Sequence, residues 1–424
     1  MQKSLDHKLA AIHANPSGCR DFIIADAKDA DMAFGIGAPG KSPEAHAGEV
    51  SFRTLPEYRE QIREIVRQGL VDIMLMSAST NDALTIRERL FDGSHVTPAA
   101  RANDTSDIFV VRGGDYIAAP SRPFRTAALD HIQCGHVDCA PDERLRGANL
   151  GLYSITFNNR LDDDLAALEE YRRFRVEAER KGFRHFLELF DPNAPAALSP
   201  ADVPPFINDC IARTLAGVAQ AGRPVFLKMV YHGPRAMEEL VAYDPHLVVG
   251  ILGGGAGTTY DAFKLIAEAQ KYGARVALFG RKINNAESQL AFVQFLRLIV
   301  DGEVTPEEAV RAYHGVLQRL GIKPQRRLED DLILQTAVMS YGGSSVTVPA
   351  GMPNVGKTPS AGSPVQEAPH DCGCHAAAVG KPAAACACDA PNVGGSNGKP
   401  DFARMGAAEK LAWNKAERDR VFGP

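Results

Sequence analysis

His185–Phe190 reads HFLELF and Pro224–Val230 reads PVFLKMV, two short apolar runs that each carry one charged residue late in the run, Glu188 and Lys228. Runs this short and this continuously apolar suit strands buried on both faces, the situation in a parallel sheet. Six more follow the same pattern: FIIAD (Phe22–Asp26), VDIMLM (Val71–Met76), IFVV (Ile108–Val111), GLYSITF (Gly151–Phe157), LVVGIL (Leu247–Leu252) and RVALF (Arg275–Phe279). Between them lie amphipathic stretches at Asp162–Lys181, Pro205–Ala221, Ala236–Tyr243, Thr259–Tyr272 and Ala286–Val300. Parallel strands need helical crossovers, so strand-helix units repeated eight times over about 280 residues predict a TIM (β/α)8 barrel. A doubly wound open sheet is the competing α/β arrangement. The weakest part of the pattern is the stretch rich in Arg, Asp and Pro between Met76 and Gly151, which offers only Ile108–Val111 as a strand.

Beyond Tyr313 a helix to about Leu320, a charged segment Gln325–Asp331 and an apolar helix from Leu332 to about Tyr341 are expected. The barrel domain is therefore placed at residues 1–341. From 342 to 400 the composition turns to Gly, Ala, Pro, Ser and Cys, too poor in apolar surface to offset the entropy of ordering, and a disordered linker is predicted. Residues 401–424 read as a short helix with Phe402, Met405, Leu411 and Trp413 as docking side chains.

The chain has 424 residues, 45% of them hydrophobic and 23% charged, and a net charge of -5. That balance gives no basic surface for a phosphate backbone, so no nucleic-acid partner is expected. Neither a leader's apolar segment at the N-terminus nor a run of about 18 apolar residues is present, so no membrane partner is expected and a cytoplasmic location is. Of the eight cysteines, Cys19, Cys134, Cys139 and Cys210 are scattered and the rest crowd into the tail, which reads as reduced thiols rather than a disulfide framework.

In a barrel of this kind the chemistry sits at the C-terminal ends of the strands. Lys228 lies in Phe-Leu-Lys-Met-Val, where an ammonium is costly unless it faces the barrel mouth or loses its proton. A neutral lysine amine is the nucleophile that forms a Schiff base with a carbonyl; the competing reading is a lysine paired with a carboxylate or reaching the rim. Glu188 on the preceding strand would lie beside it and could shuttle protons. Tyr153 and Asp26 are candidates for a general acid or for binding substrate hydroxyls. After the seventh run, Gly253-Gly-Gly-Ala-Gly-Thr-Thr259 leaves a strand and opens a helix, and Gly280-Arg281 leaves the eighth in the same way. Free backbone N–H groups and a guanidinium in these two loops suit a phosphate, so a phosphorylated small-molecule substrate is expected.

With Glu in the fifth run, Lys in the sixth, Gly-Gly after the seventh and Gly-Arg after the eighth, the stretch from about Gly151 to Val300 resembles the class I aldolases of the DeoC/LacD type. That group includes tagatose-bisphosphate aldolase and the archaeal-type fructose-bisphosphate aldolase. The resemblance implies a lyase of carbohydrate metabolism that reversibly cleaves or condenses a phosphorylated ketose, with no cofactor, and a homo-oligomer is expected. By the same resemblance Lys228 is the Schiff-base lysine, Glu188 the acid/base carboxylate, and Gly254, Gly255, Gly280 and Arg281 hold phosphate. Asp26 resembles the first-strand aspartate, and Tyr153 is similar in place to the acid tyrosine of the archaeal branch. The segment Ala25-Asp-Ala-Lys-Asp29 lacks the Asp-His or Asp-Gln pair usual there, and Lys28 stands as a rival amine or second phosphate contact.

Two other signals compete. Gly35-Ile-Gly-Ala-Pro-Gly-Lys-Ser42 satisfies the nucleotide-binding pattern G-x-x-x-x-G-K-[ST], but no strand runs directly into it and Pro43 follows at once, so a loop over the site is expected instead. A P-loop NTPase and a non-catalytic sugar-phosphate-binding barrel remain the alternative functions. His131, Cys134, His136 and Cys139 have spacing that zinc could use, as do Cys372, Cys374, His375, Cys386 and Cys388 in the tail. Without a regular C-x-x-C pair the first group reads as incidental loop residues, and no metal is assigned to the site.

Overall fold

In the computed structural model, which describes residues 2–40, 42, 52–255 and 257–336, eight parallel strands close into a barrel in sequence order. They are β1 (Ile23–Lys28), β2 (Ile73–Met76), β3 (Thr97–Arg101), β4 (Leu150–Thr156), β5 (Arg184–Phe190), β6 (Leu227–Met229), β7 (Gly250–Leu252) and β8 (Val276–Phe279). Asp26 opposite Phe279 belongs to the β1–β8 pairing that completes the ring. The TIM barrel is thus the fold. Its covering helices include α1 (Ser4–Ala14), α2 (Leu55–Gln68), α3 (Leu129–Cys134), α4 (Leu161–Lys181), α5 (Val203–Ala216), α6 (Pro234–Tyr243), α7 (Thr259–Lys271), α8 (Gln289–Val300) and α9 (Pro306–Arg319). Among the described residues, no helix is long and apolar enough to cross a membrane.

Local sequence explains where the helices start. Thr54 and Glu57, Thr258 and Asp261, and Thr305 and Glu308 form capping boxes at α2, α7 and α9, each satisfying two otherwise orphaned N–H groups. Gly69 and Gly182 close α2 and α4 in the left-handed conformation that lacks a steric penalty only for glycine.

Two faces of each strand feed two cores. Ile23, Ala25, Leu75, Ala99, Leu152, Phe186, Phe226, Val276 and Leu278 point into the barrel, and Leu5, Leu9 and Ile12 of α1 close its N-terminal end. Phe186 and Phe226, stacked at 4.5 Å, form the middle of this inner layer. The alternate residues, among them Tyr153, Leu187, Leu227 and Met229, pack outward against the helices. Period-two alternation therefore puts Glu188 and Lys228 two residues above the phenylalanines, inside the barrel and toward its C-terminal mouth.

The third strand differs from expectation. It is Thr97–Arg101, Thr-Pro-Ala-Ala-Arg, in which a proline and two alanines leave Thr97 as the one β-branched residue. The Ile108–Val111 run is not a strand: Ser106–Ile108 is one 3₁₀ turn, and Val110 packs on Ala33, Phe34 and Ala38. Its apolar character serves to cover the loop after β1. Residues 332–336 also depart from the predicted apolar helix, being turn and irregular after the short, acidic helix Leu328–Asp331, and the rest of that prediction, 337–341, lies outside the described residues. The linker placed at 342–400, the helix placed at 401–424 and the tail cysteines lie outside the described residues.

Candidate functional site

The inward positions at the ends of β3, β4, β5 and β6 are Arg101, Ser154, Glu188 and Lys228, and they form one hydrogen-bonded network. Glu188 and Lys228 are direct neighbours in register, and Lys228 Nζ lies 2.5 Å from Glu188 Oε1. Ser154 Oγ donates to Glu188 Oε2 at 2.7 Å, and Arg101 reaches the same oxygen at 3.5 Å. The Arg101 Nε donates to Asp29 Oδ2 at 2.6 Å, and its Nη1 donates to Ser154 Oγ at 3.1 Å. Lys228 is 7% exposed and Glu188 1%, so each charge sits in a medium where an unpaired ion is costly and the pair is mutually required.

A cavity of about 100 Å³ opens above this network, and Asp29, Arg101, Glu188 and Lys228 line it together with Gly253, Gly254, Gly280 and Arg281. Arg101, Lys228 and Arg281 thus line it beside the carboxylates of Asp29 and Glu188. Ala33, Phe34 and Ile108 supply an apolar side. A larger cavity of about 1010 Å³, lined by Lys8, Arg275 and Arg297, lies at the opposite end of the barrel. Its size does not make it the chemical centre, because the mouth-facing strand residues do not reach it.

The loops after β7 and β8 come together at the cavity. Gly253 needs to be glycine because a Cβ there would sit 2.1 Å from the Phe279 ring, and Gly280 because a Cβ would sit 2.7 Å from the Ala27 carbonyl oxygen. Gly254 adopts a left-handed φ of +57°, and Gly255 packs on the Arg281 side chain. Lys282 Nζ holds the far end of this loop by donating to the carbonyls of Gly257 and Thr258 at 2.7 and 2.8 Å. Burial lowers the Arg281 guanidinium to about 10, still a cation at neutral pH, and Glu188 opposes that shift.

Lys228, Glu188, Gly254, Gly255, Gly280 and Arg281 are therefore brought to one place. Tyr153 and Asp26 are not. Tyr153 lies one residue before Ser154, so alternation turns it out of the barrel, where its ring stacks on Phe174 at 4.4 Å and meets Tyr171 at 5.1 Å. Asp26 likewise faces outward, beside Lys28 at 3.5 Å in the layer between barrel and helices, and burial pushes its carboxyl up to about 6. Lys28 donates to Gln289 Oε1 at 2.8 Å in the same layer, so it neither rivals Lys228 nor lines the cavity. Asp29, three residues along from Asp26, is the carboxylate of the β1 loop that the site contains. Arg101 and Asp29 escaped sequence reading for different reasons: Arg101 ends the strand that lacked a strand signature, and Asp29 competed with two other charged residues in the same run.

The glycine-rich loop ending in Ser42 follows the short helix Asp31–Phe34 rather than a strand, and Gly35–Gly37 forms a 3₁₀ turn. Ala30, Ala33 and Phe34 just before it line the cavity, and no described residue of the loop itself does. Just past the strand ends, His232 Nε2 and Asp191 Oδ1 make a second buried contact at 2.8 Å, continuing the β5–β6 ladder above Glu188 and Lys228.

No family model and no curated protein matches the chain. Among solved structures, the fold is similar to that of a fructose-bisphosphate aldolase from Slackia heliotrinireducens. The identity is 12%, the TM-score 0.51, and the match covers 73% of this chain and 91% of that one. A Schiff-base-forming fructose-1,6-bisphosphate aldolase matches at 17% identity and a TM-score of 0.49, over 69% of this chain and 99% of that one. Orotidine 5'-phosphate decarboxylase from Pyrococcus horikoshii matches at 12% identity and a TM-score of 0.36, over 66% of this chain and 100% of that one. At these identities the likeness speaks to fold alone.

Proposed function

We propose that this chain is a class I aldolase that reversibly cleaves and condenses a phosphorylated ketose through a Schiff base at Lys228. The observation that carries the reading is the Lys228–Glu188 pair, buried at the barrel mouth and opening on a cavity that Arg101 and Arg281 also line. An amine becomes nucleophilic when a neighbouring base takes its proton, and Glu188 Oε1 is within transfer distance. Lys228 Nζ then adds to the substrate carbonyl, and one proton of the adduct's nitrogen passes to the oxygen to give the carbinolamine; Glu188 returns its own proton to that hydroxyl, which leaves as water and yields the iminium. The iminium draws the electron pair of the breaking C–C bond into an enamine, while a base takes the proton of the departing aldehyde's hydroxyl. With Tyr153 turned outward, that base is a carboxylate of the mouth, Glu188 or Asp29. Ser154 and Arg101 hold Glu188 in orientation from its other oxygen. The loops around Gly254, Gly255, Gly280 and Arg281 take the phosphate.

Lys228→Met tests this by direct assay of aldehyde release from a panel of phosphorylated ketoses. The account expects turnover by the natural chain on at least one of them and its loss, by about 10⁴-fold or more, in the variant. Unchanged turnover in a folded Lys228→Met protein would remove the Schiff-base mechanism.

A further inference from the structure

On the opposite side of the barrel from the cavity, the segment between α3 and the start of β4 folds Cys134, Cys139 and Glu143 together, with one potential ligand atom from each lying within 4.8 Å of the others. The segment is built to keep them there. Gly135 turns with φ +90° and Asp138 with φ +57°, a conformation rare for a residue with a side chain. The Asp138 N–H donates to Asp130 Oδ2 at 3.1 Å, and the Gly147 N–H donates to the Gln133 carbonyl at 2.7 Å. Cys134 and Cys139 are 5% and 6% exposed, but no disulfide joins them.

His136 lies beside these three, though its ring nitrogens fall outside the cluster they form. Its Nδ1 is 2.8 Å from the Val137 carbonyl oxygen, which can only accept, so Nδ1 carries the proton. Nε2, the other ring nitrogen, faces Glu143 Oε2 at 3.3 Å. A proton on Nε2 satisfies that contact as an ion pair, and two ligands of one tetrahedral zinc, each about 2.0 Å from it, are spaced the same way. Backbone fixation of Nδ1–H is also how metal-bound histidines are commonly oriented.

We infer that Cys134, His136, Cys139 and Glu143 form a zinc site. Two thiolates, an imidazole and a carboxylate make a four-donor set of the type zinc takes in tetrahedral geometry. Bonds of about 2.3 Å to sulfur place the two sulfurs about 3.8 Å apart, and here they already lie within 4.8 Å of each other. Binding displaces the two thiol protons to solvent. Arg146, 2.8 Å from Glu143 Oε1, offsets the remaining anionic charge, and the half-exposed His136 ring gives the ion an entry path. The site cross-links the loop after α3 to the approach of β4, the strand that carries Ser154.

The test uses the full-length chain, reduced, with Cys372, Cys374, Cys386 and Cys388 replaced by Ser so that tail thiols do not compete. Zinc content is measured after desalting, and the cobalt-substituted protein is scanned for thiolate-to-cobalt charge transfer. About one zinc per chain and a charge-transfer band are expected, both lost in Cys134→Ser/Cys139→Ser, with affinity lowered at least about tenfold in His136→Gln. The exposed His136 position keeps the test sound if the cysteine variant does not fold. Absence of retained zinc, a cobalt band that survives Cys134→Ser/Cys139→Ser, His136→Gln binding zinc like the parent, or a Cys134–Cys139 disulfide found in zinc-treated protein would each overturn the site.

Discussion

His185→Gln is expected to change how stability responds to acid. His185 lies on the outward face of β5, 4% exposed, and Tyr171 Oη on α4 is 2.9 Å from its Nε2. A neutral imidazole accepts the tyrosine proton there, whereas an imidazolium would lose that bond and its hydration together. Burial accordingly pushes the ring down to about 3 from its ordinary 6.5. Above the unfolded value both states are neutral and the native state has its full stability. Below it the unfolded chain takes up a proton that the folded chain refuses, so stability is lost as pH falls toward about 3. The full shift corresponds to a ceiling of about 5 kcal/mol, of which about 2 kcal/mol is lost between about pH 7.5 and about pH 5. Asp26 and Asp104, each pushed up to about 6 chiefly by burial, act with the opposite sign: between that value and 3.8 the native state holds more protons, so their terms favour folding as pH falls. The comparison with His185→Gln cancels those terms while the amide keeps an acceptor for Tyr171. Urea unfolding at both pH values should show the natural chain losing about 2 kcal/mol relative to the variant. Parallel pH profiles for the two proteins would refute the neutral, buried histidine.

Glu188→Gln leaves Lys228 without its anionic partner; it should cost about 3–5 kcal/mol of stability and about 10²–10⁴ in turnover, measured by denaturation and by aldehyde release. Tyr153→Phe, by contrast, should leave turnover within about twofold, because the ring faces Tyr171 and Phe174 rather than the cavity; a collapse of kcat would restore it to the chemistry. Gly253→Ala forces a Cβ into the Phe279 ring and should destabilise by about 1–3 kcal/mol while raising KM for the phosphorylated substrate, a split visible in steady-state kinetics.

Seven of the eight barrel strands are legible because parallel strands buried on both faces leave long apolar runs. Thr97–Arg101 is not, since proline and alanine supply most of the burial there and Thr97 is its one β-branched residue. Lys228 and Glu188 stand out because a charge inside such a run has few places to go, and the mouth of the barrel is one of them. Tyr153 and Asp26 show the limit of that reasoning. Each sits one residue out of phase with the inner face, and a run that is apolar on both faces carries no alternation from which the phase could be read. Arg101 and Asp29 are the corresponding losses, the first with its unrecognised strand and the second among neighbouring charges. Cys134, Cys139 and Glu143 meet only through the two left-handed turns at Gly135 and Asp138, which spacing alone does not reveal.

Borohydride trapping tests the central claim most directly. The full-length chain is incubated with phosphorylated ketoses, reduced, digested and mapped by mass. The account predicts one covalent adduct, of substrate or its ketone fragment as a secondary amine, on the peptide carrying Lys228, and none in Lys228→Met. An adduct on Lys28 instead, or no adduct from any ketose that the chain cleaves, would contradict it.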